Sequence, residues 1–413
     1  MNPFPIVFAD LRRNRLLALV TILLVALALA TGIAVISQER ALRQGSARAA
    51  DDFDLLIGAP GSPTQLVLST VYLQPQAVPL IDGAVLAKAT QSPGVAYAAP
   101  IAFGDHWQGH PIVGTTTDFA LRGGRLAPSE GRVFQRRGEA IVGAAVPLAI
   151  GAKATPQHGH HGETHHHDDD DDDDEKPDAA HAAAHYTVVG RLPARNTIWD
   201  TAVLVPIEDV WAVHGLPDGH EGAGRIGPPW NFANLPGVPA IAVKPQSVAS
   251  AYALRGQFRT GNSTAVFPAE VLNDLYLMLG NVRDLMSMLA IATQALVVAA
   301  VLMALLVGFL ARRRQFAVLR AIGAGRAYVF CVVWSEVALL IGAGAILGLL
   351  FGVGAASALS VWLQGKTGFA MQASLCSEEL ILLGGLVLAG ALFAALPAWQ
   401  VFRRPIVAGL TGP

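Results

Sequence analysis

The stretch HGHHGETHHHDDDDDDDEKPDAAHAAAH, running from His158 to His185, carries eight of the chain's twelve histidines and seven consecutive aspartates. Neutral imidazole suits Zn2+, Cu2+ and Ni2+, and the carboxylates add charge attraction and weaker oxygen ligands. The candidate ligands are His158, His160, His161, His165, His166, His167, His181 and His185. Their spacing allows many ligand sets and fixes none, so the chemistry would be low-specificity metal capture. The aspartates also favour protonated imidazole, which competes with metal at mildly acidic pH. A solvated spacer explains the same composition without any metal. His106, His110, His214 and His220 lie elsewhere and read as structural or surface residues.

Other chemistry is excluded by spacing. Gly365-Lys366-Thr367 lacks the glycine that a phosphate-binding loop needs five places earlier, where Ser360 stands. No nucleophile–base pair or defined metal triad is visible, which argues against an enzyme in its own right. No basic stripe with interleaved aromatics suggests nucleic acid. Cys331 lies inside an apolar run and Cys376 outside one, and both read as unpaired thiols.

The elements that must position the histidine run are membrane helices. Of 413 residues, 53% are hydrophobic and only 15% charged, against about a quarter charged in soluble domains. Four segments are long and apolar enough to span: 16–36, 285–310, 329–356 and 380–396. The first reaches about 31 Å as a helix, against a hydrocarbon core of roughly 30 Å. Its length favours a retained helix over a signal peptide.

Arginines flank these spans unevenly. Arg12, Arg13 and Arg15 precede the first, Arg312, Arg313, Arg314, Arg320 and Arg326 follow the second, and Arg403 and Arg404 follow the fourth. The positive-inside rule therefore places both termini (1–15 and 397–413) and the 311–328 segment in the cytoplasm. Residues 37–284 and the 357–379 loop then lie outside. Within 37–284, the runs AIVGAAV, HYTVVGRL, TAVLVPI and PAIAVKP read as strands among helical stretches, which predicts an α+β extracytoplasmic domain. Residues 152–185 break that pattern and read as a disordered inserted loop.

Local signals add detail. In GAPGSPTQLVLSTVYL, Ser62 reads as an N-cap, Pro63 as the first helical residue and Gln65 as the partner that completes a capping box. In RRRQFAVLRAIGAGR, Phe316, Leu319 and Ile322 form one apolar helical face, Arg313 and Arg320 lie beside it, and Gly325 offers a helix stop. That segment suits either an anchor at the lipid surface or a docking helix for a partner. In the third span, Gly344, Gly348 and Gly352 recur every four residues, a small-residue stripe that lets two helices approach closely. Glu336 is an intramembrane carboxylate near that span's cytoplasmic end.

Taken together these residues resemble the FtsX/MacB-type ABC transporter permeases. The likeness rests on one span, a large domain and three further spans, with RRRQFAVLRAIGAGR between spans two and three, Glu336 before a glycine-rich stretch, and Pro397-Ala398 with Arg404-Pro405 at the end. It covers about residues 280–410 well and the first span loosely. The GAPGSPTQLVL stretch and a His-rich insert ahead of Tyr186–Gly190 are similar to a subgroup.

The resemblance implies a bacterial inner-membrane permease with no cofactor of its own and ATP bound on a separate cytoplasmic ABC ATPase subunit. It implies a permease homodimer and makes Arg313, Phe316, Leu319, Arg320 and Ile322 the ATPase-coupling residues. Gln315 departs from the family, where many relatives carry an acid. Function is then mechanotransmission, with Zn2+ on the His-rich loop linking it to metal homeostasis and a periplasmic metal-binding or adaptor protein as a further partner. Export of a lipoprotein, lipid or peptide, or a relay that activates a cell-wall hydrolase, remain the alternatives.

Overall fold

The computed structural model describes residues 2–158, 184–222, 224–278 and 323–367, with isolated positions between 288 and 320 and between 381 and 392. It divides into two compact units. One is made of 1–43, 280–363 and 371–413, the other of 44–279 and 364–370.

In the first unit, helix α1 (Phe4–Arg13) ends at Asn14, and α2 (Arg15–Ala50) begins directly after it. The long helix α8 (Arg326–Thr367) belongs largely to this unit. Among the described residues, two helical stretches are long and apolar enough to cross a membrane, Arg15–Ala41 within α2 and Arg326–Trp362 within α8. The expected spans at 285–310 and 380–396 fall almost wholly outside the described residues.

Both described helices run past the apolar segments from which they were read. The α2 helix continues beyond Ile36 through QERALRQGSARAA, because Gln, Glu, Arg and Ala sustain a helix after the hydrophobic run has stopped. The α8 helix covers 357–367, so the expected loop at 357–379 is corrected over its first eleven residues. Ser360, 4% exposed there, lies 3.5 Å from the Gln38 side chain on α2.

The second unit is an α+β domain. Its strands are β1 (Leu55–Gly58), β2 (Val95–Trp107), β3 (His110–Thr115), β4 (Glu130–Gly131), β5 (Glu139–Val142), β6 (Lys153–Ala154), β7 (Gln157–His158), β8 (Tyr186–Arg191), β9 (Val203–Pro206), β10 (Ala240–Pro245) and β11 (Thr264–Val266). Among the described residues they form one sheet in the order β11-β1-β10-β2-β3-β9-β5-β8-β4, with β6 on β8 and β7 on β2. The pairs β3–β9 and β5–β8 are parallel and the others antiparallel. All four strands read from apolar runs are present, as β5, β8, β9 and β10.

Both sheet faces are covered, which explains why β1, β9 and most of β10 are buried at consecutive positions rather than alternate ones. Leu55 and Ile57 pack on one side with Leu86 of α4 (Gly83–Gln91), Trp211 of α6 (Ile207–Val213) and Phe258 of α7 (Val248–Phe258). Leu56 packs on the other with Ala49, Phe53, Leu66 of α3 (Pro63–Val71) and Phe119 of α5 (Thr117–Ala120).

The His-rich stretch has a topological place. Parallel neighbours β5 and β8 need a crossover of a dozen or more residues, and the stretch lies within that crossover. The disordered loop expected from residue 152 is corrected over its first seven residues, which contain two short strands. Lys153–Ala154 pairs with Tyr186–Thr187, and Gln157–His158 pairs with Asp105–His106. Two-residue strands carry too little periodicity to show in sequence. Residues 159–183 lie outside the described set.

Candidate functional site

Three places bear on function: the segment that leads into α8, the helix pair α2–α8, and the joint that follows α2.

Val318, Leu319 and Arg320 are helical. The helix they belong to ends in a glycine cap, with the Ala324 N–H donating to the Leu319 carbonyl at 3.1 Å and the Gly323 N–H to the Arg320 carbonyl at 3.2 Å. This is the paired Schellman arrangement, and Gly323 occupies its left-handed position at φ +101°. The expected stop at Gly325 is thus corrected by one half-turn: the cap demands positive φ, and Gly323 supplies it. Gly325 instead starts the next helix, its carbonyl accepting from Tyr328 and Val329 at 3.0 and 3.2 Å. Leu319 and Arg320 are half-buried, whereas Arg313, Phe316 and Ile322 lie outside the described residues.

In α8 the glycine stripe lies on α2. A Cβ built on Gly344 would stand 2.6 Å from the Val25 Cβ, one on Gly348 2.7 Å from the Leu29 Cβ, and one on Gly352 3.0 Å from the Ile33 Cβ. The backbone carbonyls of Ile22 and Ala26 are about as near, at 3.0 and 2.8 Å from the first two. Glu336, on the same helix, is 6% exposed.

The joint is in the α+β domain. Two residues beyond α2, the Asp52 carboxylate accepts a hydrogen bond from Arg195 at 2.5 Å and stands 3.3 Å from Nε of Arg122. Asp52 and Arg122 are both about 5% exposed at their side chains, so the contact is a buried ion pair. At 3.3 Å the second contact lacks hydrogen-bond geometry, and Nε of Arg122 is left without a hydrogen-bond partner. The guanidinium also donates to the Phe119 carbonyl at 2.6 Å and lies 3.9 Å from the Phe119 ring, with Phe53 and Trp199 near 6 Å. Burial pulls the Arg122 pKa down and Asp52 opposes it. Arg122 has φ +52° and Asn196 φ +59°, left-handed conformations held by this packing. Arg195 is fixed in turn by Asp200, which accepts from the backbone N–H groups of Arg195 and Asn196. Burial raises the Asp200 pKa, and those N–H groups work against the rise.

The domain's remaining charges hold loops. Glu208, fully buried, accepts from the Trp230 indole and the Gly227 N–H, both at 2.7 Å, with Nε2 of His220 at 3.4 Å. Burial pushes up the pKa of neighbouring Asp209, whose carboxylate accepts from Gly138 and Arg137. Arg132 makes a two-point contact with Glu139 at 2.6 and 2.7 Å, which holds that carboxyl down at about 2.

The His-rich candidates divide sharply. His158 stands opposite Asp105 in the β2–β7 register, and Nδ1 of exposed His185 hydrogen-bonds to Oγ1 of Thr155 at 2.9 Å. His160, His161, His165, His166, His167 and His181 lie outside the described residues. Among the described residues no group of three potential ligands is placed to hold a metal. His110 bonds to the Thr201 carbonyl at 3.0 Å and stacks on Trp107, and His214 bonds to the Val210 carbonyl. Trp107 and His110 flank a two-residue turn in which Gln108 and Gly109 both have positive φ, the geometry a tight hairpin requires.

Sequence reading missed the joint entirely. Asp52 is 70 residues from Arg122 and 143 from Arg195, and no local pattern links them. The one available signal was the acidic run Asp51, Asp52 and Asp54 between a membrane-length helix and a strand.

Comparison with known proteins gives likenesses of two kinds. Residues 287–406 match the family model described as FtsX-like permease C-terminal. Among solved structures, the periplasmic region of MacB from Actinobacillus actinomycetemcomitans is similar at 9% identity, over 54% of this chain and 94% of that one, with a TM-score of 0.32. No curated protein matches the chain.

Proposed function

We propose, from the match of residues 287–406 to the FtsX-like permease C-terminal model, that the chain is the membrane subunit of an ABC transporter whose ATP is hydrolysed by a separate cytoplasmic subunit. The family match carries this reading, because it encloses the whole segment 312–326. In this reading Arg313, Phe316, Leu319, Arg320 and Ile322 dock the ATPase. The Gly323 cap supports the assignment: it ends the docking helix sharply and lets α8 start within three residues. Two copies of the chain pair with two ATPase subunits, in an inner membrane with both termini cytoplasmic.

The output is movement of the α+β domain rather than passage through a pore. Supporting this, α2 is unbroken from Arg15 to Ala50, and Ala49 and Ala50 are buried in the domain's core. The Asp52 joint follows at once and ties the end of that helix to α5 and the 195–200 turn.

Zinc homeostasis is the process this movement serves, and the His-rich crossover is the collector of Zn2+, handing it to or taking it from a periplasmic metal-binding or adaptor protein. Its support is composition together with place: the stretch starts at His158, the last residue of β7, and ends at His185, which precedes β8 and hydrogen-bonds to Thr155. The test is total cell zinc under zinc starvation in three strains: intact, gene deleted, and residues 159–183 deleted in frame so that β7 and β8 survive. Gene deletion is expected to lower zinc, and the internal deletion to lower it partly. Unchanged zinc in both would remove the metal reading and leave lipoprotein, lipid or peptide export, or a relay to a cell-wall hydrolase.

A further inference from the structure

We propose that the α+β domain is hinged within β2, between Ile101 and Ala102, and that Asp52 with Arg122 and Arg195 is the latch that holds its two lobes closed. The hinge follows from the register. Strand β10 pairs with Val95–Ile101 and β3 with Ala102–Trp107, so among the described residues no position of β2 has a partner in both. The sheet is therefore two ladders that share one strand end to end: β11-β1-β10 with the first half of β2, and β3-β9-β5-β8-β4 with the second. Transverse hydrogen bonds hold neighbouring strands together, and at this step the two ladders are joined only along β2. Two further features soften the place. Pro100, one residue before the break, has no N–H to donate, and the β2–β3 register shifts between Phe103 and His106, an irregularity that bends its strand.

Side chains from both lobes close one face of the break. Asp52 and Phe53, which precede β1, and Val71, at the end of α3, belong to the first lobe. Phe119 and Arg122, which follow β3, and Arg195 and Trp199, which lie between β8 and β9, belong to the second. Asp52 meets Arg195 at 2.5 Å and Arg122 at 3.3 Å. The Phe53 ring lies 5.5 Å from that of Phe119 and 5.6 Å from that of Trp199, and the Trp199 indole donates to the Val71 carbonyl at 3.0 Å. Packed rings can slide past one another, whereas a buried charge tolerates no loss of its partner. Opening must break the ion pairs, so they set the closed position.

The two lobes have different attachments. Helix α2 leads through Asp52 into β1 of the first lobe. The His-rich crossover joins β5 to β8 in the second. A closed latch makes the second lobe follow α2, and an open one lets it turn about β2 while the first stays in place, which is hinge motion absorbed by a few residues of one strand. The inference concerns the chain alone and does not depend on the transport reading.

The experiment uses the full chain in detergent, with Cys331 and Cys376 changed to serine and nitroxide-labelled cysteines at two exposed alanines. One pair joins the lobes, Ala149 in the second with Ala253 on α7 in the first. The control pair, Ala149 with Ala212 on α6, lies within the second. Pulsed dipolar spectroscopy gives the distance distribution of each pair in the parent, Asp52→Asn and Arg195→Gln chains. The parent is expected to give one distance for each pair. In D52N the 149–253 pair should gain a second, shifted population while the 149–212 pair stays as in the parent. R195Q leaves the buried Asp52–Arg122 contact in place and should show a smaller second population. A 149–253 distance unchanged in both variants overturns the proposal. Broadening of both pairs in D52N reports loss of fold rather than opening, and R195Q then decides. With its control pair intact, a second 149–253 population supports the latch and an unchanged distance overturns it.

Discussion

Replacing Asp52 with alanine is expected to destabilise the α+β domain by about 3–5 kcal/mol, because it leaves a buried guanidinium without its counter-charge. Arg122 is 5% exposed, enclosed by Phe53, Phe119 and Trp199, and cannot turn to water without opening that cluster. Arg195, 31% exposed, can reach solvent, so it adds less to the loss. The aromatic face of Phe119 retains only part of the attraction, on the order of 0.5–2 kcal/mol. Removing both charges should cost far less than removing one: Asp52→Leu with Arg122→Met replaces the ion pair by apolar groups of similar size, a change often close to neutral. Urea unfolding of the purified full-length chain, single variants against the double, measures this. A loss below about 1 kcal/mol for D52A, with the double variant no better than the single, would show that the pair is not what holds the joint.

Gly348→Leu is the second large effect. The new side chain would start 2.7 Å from the Leu29 Cβ and 2.8 Å from the Ala26 carbonyl oxygen. Neither atom is the end of a flexible side chain, so α2 and α8 must separate along their length. Overpacking costs about 1–3 kcal/mol where a core can adjust, and a helix backbone adjusts poorly, so the upper end is expected. Gly354→Leu is the matched control, since nothing lies within 4 Å of a Cβ at that site on the same helix. Unfolding by dodecyl sulfate in mixed micelles should show G348L unfolding at a clearly lower detergent fraction and G354L close to the parent. Equal midpoints would contradict the close approach of the two helices.

Sequence periodicity was legible wherever structure is local. The four apolar runs are strands, and Ser62 caps α3 by accepting from the Gln65 N–H at 3.3 Å. The capping box is only half made, because the Gln65 side chain donates to the Ala77 carbonyl at 2.7 Å, a partner supplied by a distant turn. Hydropathy located the described membrane-length helices but not their ends, since it follows apolar content whereas helix length also follows propensity. The choice between Gly323 and Gly325 as helix stop needed a φ value, which spacing does not carry. The amphipathic α1 helix was read only as arginines that orient the chain, because its two phenylalanines are too few to register in a wide hydropathy window. The Asp52 joint and the Glu208 contacts join residues far apart in the chain, and such pairs leave no trace in a single sequence.

The central proposal is that this chain acts as a permease subunit that governs ATP hydrolysis by a separate subunit through the 312–326 segment. Its most direct test is to purify the full-length chain from its own cells and measure ATP hydrolysis by the ATPase that accompanies it. The same is then done with Leu319→Asp and Ile322→Asp together. The expected result is co-purification of an ABC ATPase with the parent chain, and loss of the permease-dependent part of its hydrolysis in the double variant. Absence of any ATPase from the parent preparation, or hydrolysis unchanged in the double variant, would contradict the account.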